Sequence, residues 1–288
     1  MPAAEPLGPE PLSPGLHIVA TPIGNLGDLS VRAVDVLSRA DLILAEDTRV
    51  TGKLLHHIGT KTRMQRFDDH SGDVERERIL AMLADRAVAL VSDAGTPLIS
   101  DPGYKLVRAA REQGHAVHTV PGPCAVIAAL TLAGLPTDRF LFAGFLPAKD
   151  KARGEAIAEL AAVRASLVFY ESGPRLGAAL AALVMGLGGR NAAVAREITK
   201  LHEECVTGTL AELAVRYAEV APKGEIVIVV GPPGEAAAAS DADLDSALAE
   251  ALARLSPSRA AAEVAECLGI PRKRAYARAL ELARGTTP

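Results

Sequence analysis

Four loops, three of them dense in glycine and proline, each come directly after a short aliphatic run, and this arrangement constrains the chain more than any other feature. The loops are 21–28, 46–49, 92–103 and 121–125, and the runs before them are 16–20, 42–45, 88–91 and 115–120. Runs of four to six apolar residues read as buried strands, and helix-forming stretches separate them. Ser30 is placed to cap a helix through about residue 38. A helix over about 73–85 puts Ile79, Met82 and Leu83 on one face. Strand, loop, helix in succession predicts an α/β fold, in which the loops at the carboxyl ends of parallel strands gather around one crevice. Glycine lets backbone approach a ligand there, and proline fixes the shape of the loop.

A second α/β unit follows a connector at 135–138, with strands expected at 139–145, 166–170, 191–196 and 225–230. Five of the nine aromatic residues (Phe140, Phe142, Phe145, Phe169, Tyr170) fall where it begins. A Gly-Pro-Pro-Gly segment and an alanine run at 231–240 read as a linker. The remainder is helical, with a break at Gly269-Ile270-Pro271. The domain reading is therefore a Pro-rich disordered leader over 1–15, α/β domains over 16–136 and 137–231, and a helical bundle over 241–288.

Composition narrows the function. The net charge is −4, and aromatics make up 3% of the chain with no Trp. These values argue against a protein that coats nucleic acid or reads it on broad stacking platforms. The charge is uneven, however. Residues 270–288 hold five basic side chains (Arg272, Lys273, Arg274, Arg278, Arg284) against Glu281 alone. This is either a helix-turn-helix contact for RNA or a solvated helix face. Three separated cysteines show no metal spacing and suit a reducing cytoplasm. No apolar run is long enough for a membrane span.

The first loop lacks both the phosphate-loop pattern and the dinucleotide fingerprint, retaining only Gly24-x-x-Gly27. Asp93, after a strand and before a glycine, suits ribose hydroxyls or an amino group. Alternatively it caps its own turn. Glu46, Asp47, Asp93 and Asp101 also allow a metal-dependent phosphohydrolase, although no metal-ligand spacing is present. A non-catalytic nucleotide-binding module is a further alternative.

The segments VATPIGNLGD (19–28), AEDTR (45–49), SDAGTPLISDPG (92–103), VPGPC (120–124) and FAGFLP (142–147) resemble those of the bacterial 16S rRNA (cytidine 1402) ribose 2′-O-methyltransferases. So do FYES (169–172), AREITKLHEE (195–204) and KGEI (223–226). That family belongs to the tetrapyrrole-methylase class of enzymes using S-adenosylmethionine (SAM). The resemblance spans about residues 16–231. It implies two α/β domains with the cofactor cleft between them and a helical C-terminal part. It also implies transfer of a methyl group to a ribose of small-subunit rRNA, with a tetrapyrrole acceptor as the alternative within the class. The expected partners are 16S rRNA or the assembled small subunit and, in a homodimer, a second copy of the chain. No metal is expected.

By position, the resemblance places Thr21, Pro22, Gly24, Asp93, Thr96, Leu98, Pro123, Cys124, Ala125, Phe169, Tyr170 and Glu225 around the cofactor. Phe169 and Tyr170 have interdomain core as their alternative. Asp47, Glu197 and Lys200 are the catalytic candidates, where a base or a cation assists a ribose hydroxyl. The alternative for Asp47 is a structural ion pair with Arg49. Arg49, Lys149, Arg272, Lys273 and Arg274 are the RNA-contact candidates. One departure stands out: Gly173-Pro174 replaces the family's Pro-His after Glu171-Ser172.

Overall fold

The computed structural model describes residues 11–68, 71–234, 241–268 and 270–285. The expected leader, through residue 10, and the alanine part of the linker lie outside the described residues. The described chain divides into a larger unit ending at Pro232 and a smaller one beginning at Pro233.

The first sheet of the larger unit is built from β1 (Gly15–Val19), β2 (Leu42–Ala45), β3 (Met64–Arg66), β4 (Ala87–Val91) and β5 (Val117–Val120), in the order β3-β2-β4-β1-β5. Every pairing is parallel. Between the strands run α1 (Val31–Arg39), α2 (Thr48–His57), α3 (Asp73–Met82) and α4 (Tyr104–Glu112). Side chains alternate along the central strands. Leu16, Ile18, Leu42, Leu44, Val88 and Leu90 pack on α3 and α4, whereas Val19, Ile43, Ala45, Ala89 and Val91 pack on α1 and α2. Both faces are covered, which is why these strands read as continuous apolar runs. β1 and β4 are neighbours whose following helices lie on opposite faces. The crevice outside their carboxyl ends is therefore the topological switch point where such sheets bind ligands.

α5 (Ala125–Ala133) leads from this half to the second sheet. That sheet comprises β6 (Phe140–Phe145), β7 (Ser166–Ser172), β8 (Asn191–Arg196), β9 (Glu204–Thr209) and β10 (Glu225–Val230), in the order β6-β7-β10-β8-β9. Only β6–β7 is parallel. α6 (Asp150–Leu160), α7 (Gly173–Leu187) and α8 (Leu210–Arg216) cover one face, around Phe169, Val194 and Ile228. α5 covers the other through Val126, Ala129, Leu130 and Ala133, against Val168, Ala193, Val227 and Val229. Because α5 belongs to the first half by sequence and to the second by packing, it ties the two sheets into one body.

In the smaller unit, α9 (Asp241–Leu252), α10 (Pro257–Leu268) and α11 (Arg272–Gly285) share a core of Leu244, Leu248, Ala260, Val264, Ala275 and Ala279. Pro257 and Pro271 sit at the starts of α10 and α11, where a missing N–H costs nothing. Among the described residues no helix is long and apolar enough to cross a membrane.

Two strands were not anticipated. β3 is a three-residue edge strand with no fully buried residue. β9 is half-buried and interrupted by Gly208, so neither shows the apolar period that marks the central strands.

Candidate functional site

The loops after β1 and β4 are joined by a two-residue bridge. Thr21 N–H donates to Gly95 O at 2.8 Å, and Gly95 N–H donates back at 3.1 Å. The Thr96 hydroxyl donates to Pro123 O at 2.9 Å, which adds the loop after β5. Three of the four expected loops thus form one rigid rim. The fourth joins through the Asp47 N–H, which donates to the Asp93 carboxylate at 3.0 Å. Leu98, Ser100, Glu197 and Thr199 all have positive φ. For residues bearing a side chain this is a strained conformation, and such strain concentrates at functional sites. Here it falls in the loop after β4 and the β8–β9 turn, which both border the cleft.

Two adjoining cavities open between the halves. The larger, about 430 Å³, is lined by Glu46, Asp93, Thr96 and Asp101 from the first half, Cys124 and Ala125 at the start of α5, and Tyr170, Glu171, Ile198 and Ile226 from the second. The smaller, about 370 Å³, is lined by Thr21, Pro22, Gly24, Leu26, Val50, Thr51, Lys53, Leu54, Ser92 and Lys200. Ile23, Asp93, Ala94 and Glu225 border both.

The two differ in charge. The larger cavity has five carboxylates (Glu46, Asp93, Asp101, Glu171, Glu225) on its wall and no lysine or arginine. Burial, and then the charges of Asp101 and Asp93, push the Glu46 carboxyl above its ordinary value. Burial, and then Asp93, does the same to Asp101. Burial also raises the Tyr170 phenol, with smaller contributions from Cys124 and Asp101. Glu171 is buried. It pairs with Arg175 at 3.2 Å and accepts the Ser172 N–H, yet its Oε2 has no partner among the described residues.

The smaller cavity carries both lysines. Lys200 Nζ lies 2.9 Å from Glu197 and 2.9 Å from Glu225. Burial works against its charge, but these two carboxylates outweigh burial and hold the ammonium above its ordinary value. The Lys200 hydrogen bond in turn lowers Glu197.

The structure sorts the expected site residues. Asp93, Thr96, Cys124, Ala125, Tyr170 and Glu225 meet at the larger cavity; Thr21, Pro22 and Gly24 line the smaller one. Three of the expected cofactor residues line neither cavity. Phe169 is fully buried among α7 side chains, because alternation along β7 sends Tyr170 towards the cleft and Phe169 to the opposite face. Leu98 is half-buried and packs against the first-sheet core. Pro123 contributes its carbonyl to the rim rather than a cavity wall.

Asp47 borders neither cavity. It caps α2 by accepting the Arg49 N–H, and its carboxylate grips the Arg49 guanidinium at 2.5 Å, so the ion-pair alternative describes it. Arg49 is correspondingly engaged, although highly exposed, and Lys149 is exposed at the start of α6. Arg272, Lys273 and Arg274 form the first turn of α11, and Arg278 is taken up by Asp245 and Glu281. Glu171, Ile198 and Ile226 were not anticipated as lining. Period-2 alternation puts Glu171 on the same face of β7 as the buried Phe169, so the sequence carries no signal for it as cavity lining.

Comparison with known proteins follows this geometry. Residues 15–214 match the model of the Tetrapyrrole (Corrin/Porphyrin) Methylases, and residues 238–283 match the RsmI C-terminal HTH domain. A protein of Erythrobacter litoralis named ribosomal RNA small subunit methyltransferase I is 60% identical over 95% of this chain and 97% of its own length. A protein of the same name from Mesorhizobium japonicum is 49% identical over 94% and 93%. Among solved structures, uroporphyrin-III C-methyl transferase from Thermus thermophilus complexed with S-adenyl homocysteine superposes with a TM-score of 0.52 at 21% identity, over 75% of this chain and 97% of that one.

Proposed function

The chain belongs to the tetrapyrrole methylase family, and from that premise we propose that it transfers a methyl group from SAM to a ribose 2′-hydroxyl of 16S rRNA, at cytidine 1402. The observation that carries this reading is the extent of the likeness. It runs along 95% of the chain to a relative named for the small-subunit rRNA, and a C-terminal domain named for the same enzyme accompanies the methylase core. The specific nucleotide and the 2′-oxygen rest on the resemblance of the loop segments.

The larger cavity suits the cofactor. Its volume is within the usual range of about 300–1,000 Å³ for small-molecule sites. Its carboxylates complement a cationic ligand, and the unpartnered Oε2 of Glu171 is a buried acceptor awaiting a donor. Tyr170, Ile198 and Ile226 would hold a purine, and Asp93 and Thr96 the polar groups. When bound, SAM supplies an electrophilic methyl group, so little covalent chemistry falls to the protein. Lys200, kept protonated by two carboxylates, supplies positive charge for the oxygen that becomes anionic. Glu197 acts through Lys200 as a positioning residue. Asp93, common to both cavities, is placed to take the hydroxyl proton. The hydrogen-bonded rim holds these groups in fixed relation before substrate arrives.

The phosphohydrolase alternative loses its geometry, since Asp47 is committed to Arg49 and, among the described residues, no group of three or more His, Cys, Asp or Glu is arranged for a metal ion. We further read the protein as a cytoplasmic homodimer acting on 16S rRNA or the assembled small subunit, which the family resemblance supports. Calorimetry with SAM, followed by tritiated methyl transfer to small ribosomal subunits and to free 16S rRNA, tests the proposal. Binding and transfer to one of these are expected, and absence of SAM binding overturns it.

A further inference from the structure

We propose that the smaller cavity is the acceptor pocket, taking one nucleotide drawn out of the RNA, with its phosphate on Lys53 and its ribose at the wall shared with the larger cavity. The inference rests on the proposed function and deepens it.

Two cavities of similar size adjoin, and charge decides which ligand each takes. The cofactor is a cation at its sulfur and its amino group, and the larger cavity is lined by five carboxylates without a lysine or arginine. A nucleotide within RNA is an anion, and the smaller cavity alone sets lysines, Lys53 and Lys200, against the two carboxylates it shares with the larger, Asp93 and Glu225. Lys200 there is committed to Glu197 and Glu225, but Lys53 is exposed and has no ion-pair partner among the described residues. It is therefore the cation of this cavity available to a phosphate.

The remaining walls suit a base removed from its stack. Leu26 and Val50 are exposed aliphatic side chains and Leu54 is buried beside them, so a base flipped into this space exchanges stacking for apolar contact. Thr21, Thr51 and Ser92 are buried polar residues of the same wall; the Thr21 and Ser92 hydroxyls already donate to backbone carbonyls and offer a base edge their lone pairs. The residues common to both cavities, Ile23, Asp93, Ala94 and Glu225, mark where the two ligands meet. Lys200 lines the smaller cavity and bonds to Glu225 at that boundary, which places its charge beside the ribose rather than the base.

The test uses full-length protein with Lys53→Glu, Lys53→Arg and Val50→Trp. Residues 50 and 53 are exposed on α2, so the substitutions leave the core intact, and circular dichroism verifies this. S-adenosylhomocysteine affinity is read by calorimetry, and KM and kcat with small ribosomal subunits by tritium transfer. The expectation is cofactor affinity within about twofold of wild type for all three variants. KM for Lys53→Glu should rise at least about tenfold, as for loss of a charge-assisted contact, and Lys53→Arg should restore it. Val50→Trp, which fills the pocket, should abolish most transfer. A parallel loss of S-adenosylhomocysteine affinity would assign this cavity to the cofactor and overturn the proposal, as would unchanged KM and kcat in Lys53→Glu and Val50→Trp. If wild type binds cofactor yet methylates neither small subunits nor 16S rRNA, the rRNA reading itself fails and this inference fails with it.

Discussion

Gly24 is packed against the stem of Lys200: a Cβ at position 24 would lie 2.5 Å from Lys200 Cγ and 2.7 Å from Cε. The contact joins the loop after β1 to the β8–β9 turn, so the position of the site lysine depends on a missing methyl group in the opposite half. Gly24 also has φ +151°, which an L side chain rarely adopts. Gly24→Ala is expected to displace the ammonium and lower kcat by up to about 100-fold, the cost typical of a misplacement of about 1 Å. Wild-type kcat in a folded Gly24→Ala variant would refute the coupling.

Lys200 is expected to act as a fixed charge and not as a base. Its carboxylate neighbours hold it protonated beyond the ordinary lysine value, so its own titration leaves no inflection in kcat between about pH 6 and 9. Lys200→Gln should lower kcat by about 10²–10³, the range seen when one stabiliser of a developing oxyanion is removed. Lys200→Arg should retain part of the rate. An inflection that vanishes in Lys200→Gln would reassign the residue as the base.

These two residues also show where sequence reasoning stops. The four loops and their strands were legible because buried parallel strands leave unbroken apolar runs and the turns between them need glycine and proline. Asp93 followed from its loop's place at the end of a strand, whereas Tyr170, inside β7, and Glu225, at the start of β10, came from the family resemblance. The split into one cavity lined by carboxylates alone and one in which lysines balance them was not legible, since it depends on which side each chain turns. Phe169 and Tyr170 are adjacent and equally aromatic, and only the register of β7 against β10 separates core from wall. Asp47 and Asp93 both follow strands, but an arginine two residues later engages one of them.

Cofactor affinity is expected to depend on pH through Glu46 and Asp101. Burial and neighbouring carboxylates, Asp101 and Asp93 for Glu46 and Asp93 for Asp101, raise both carboxyls in the free protein. A cation bound beside them lowers them again, so binding expels protons, and SAM affinity falls as pH drops through the raised values. S-adenosylhomocysteine, which lacks the sulfonium charge, should show a weaker dependence. The same shifts make the native state the better proton binder between the ordinary and raised values, so these groups add stability at low pH that is lost as pH rises through that window. Calorimetry in buffers of differing ionisation enthalpy measures the released protons, and Glu46→Gln should reduce them.

Gly173 begins α7 where the chain departs from the family pattern, and a Cβ there would lie 1.7 Å from the Pro222 carbonyl oxygen. Backbone must move to admit any side chain. Gly173→Ala is expected to cost about 1–3 kcal/mol, the usual range for overpacking. For a body of this size each kcal/mol lowers the melting temperature by about 2–4 °C, which calorimetric unfolding would detect. An unchanged melting temperature would mean that the 222–224 turn yields freely.

The first turn of α11 carries Arg272, Lys273 and Arg274 and no acid, so three cations crowd the end of a helix whose dipole already disfavours them. An anion such as a phosphate at this turn relieves that crowding and is favoured by the helix dipole. If the turn contacts rRNA, replacing all three by glutamine should weaken RNA binding uniformly across sequences. It should also flatten the dependence of log K on log salt by up to about three phosphate contacts. S-adenosylhomocysteine affinity should stay at the wild-type value, because none of these residues lines either cavity. Filter binding of 16S rRNA between low and physiological salt measures the slope, and an unaltered slope would leave the basic turn as a solvated helix face.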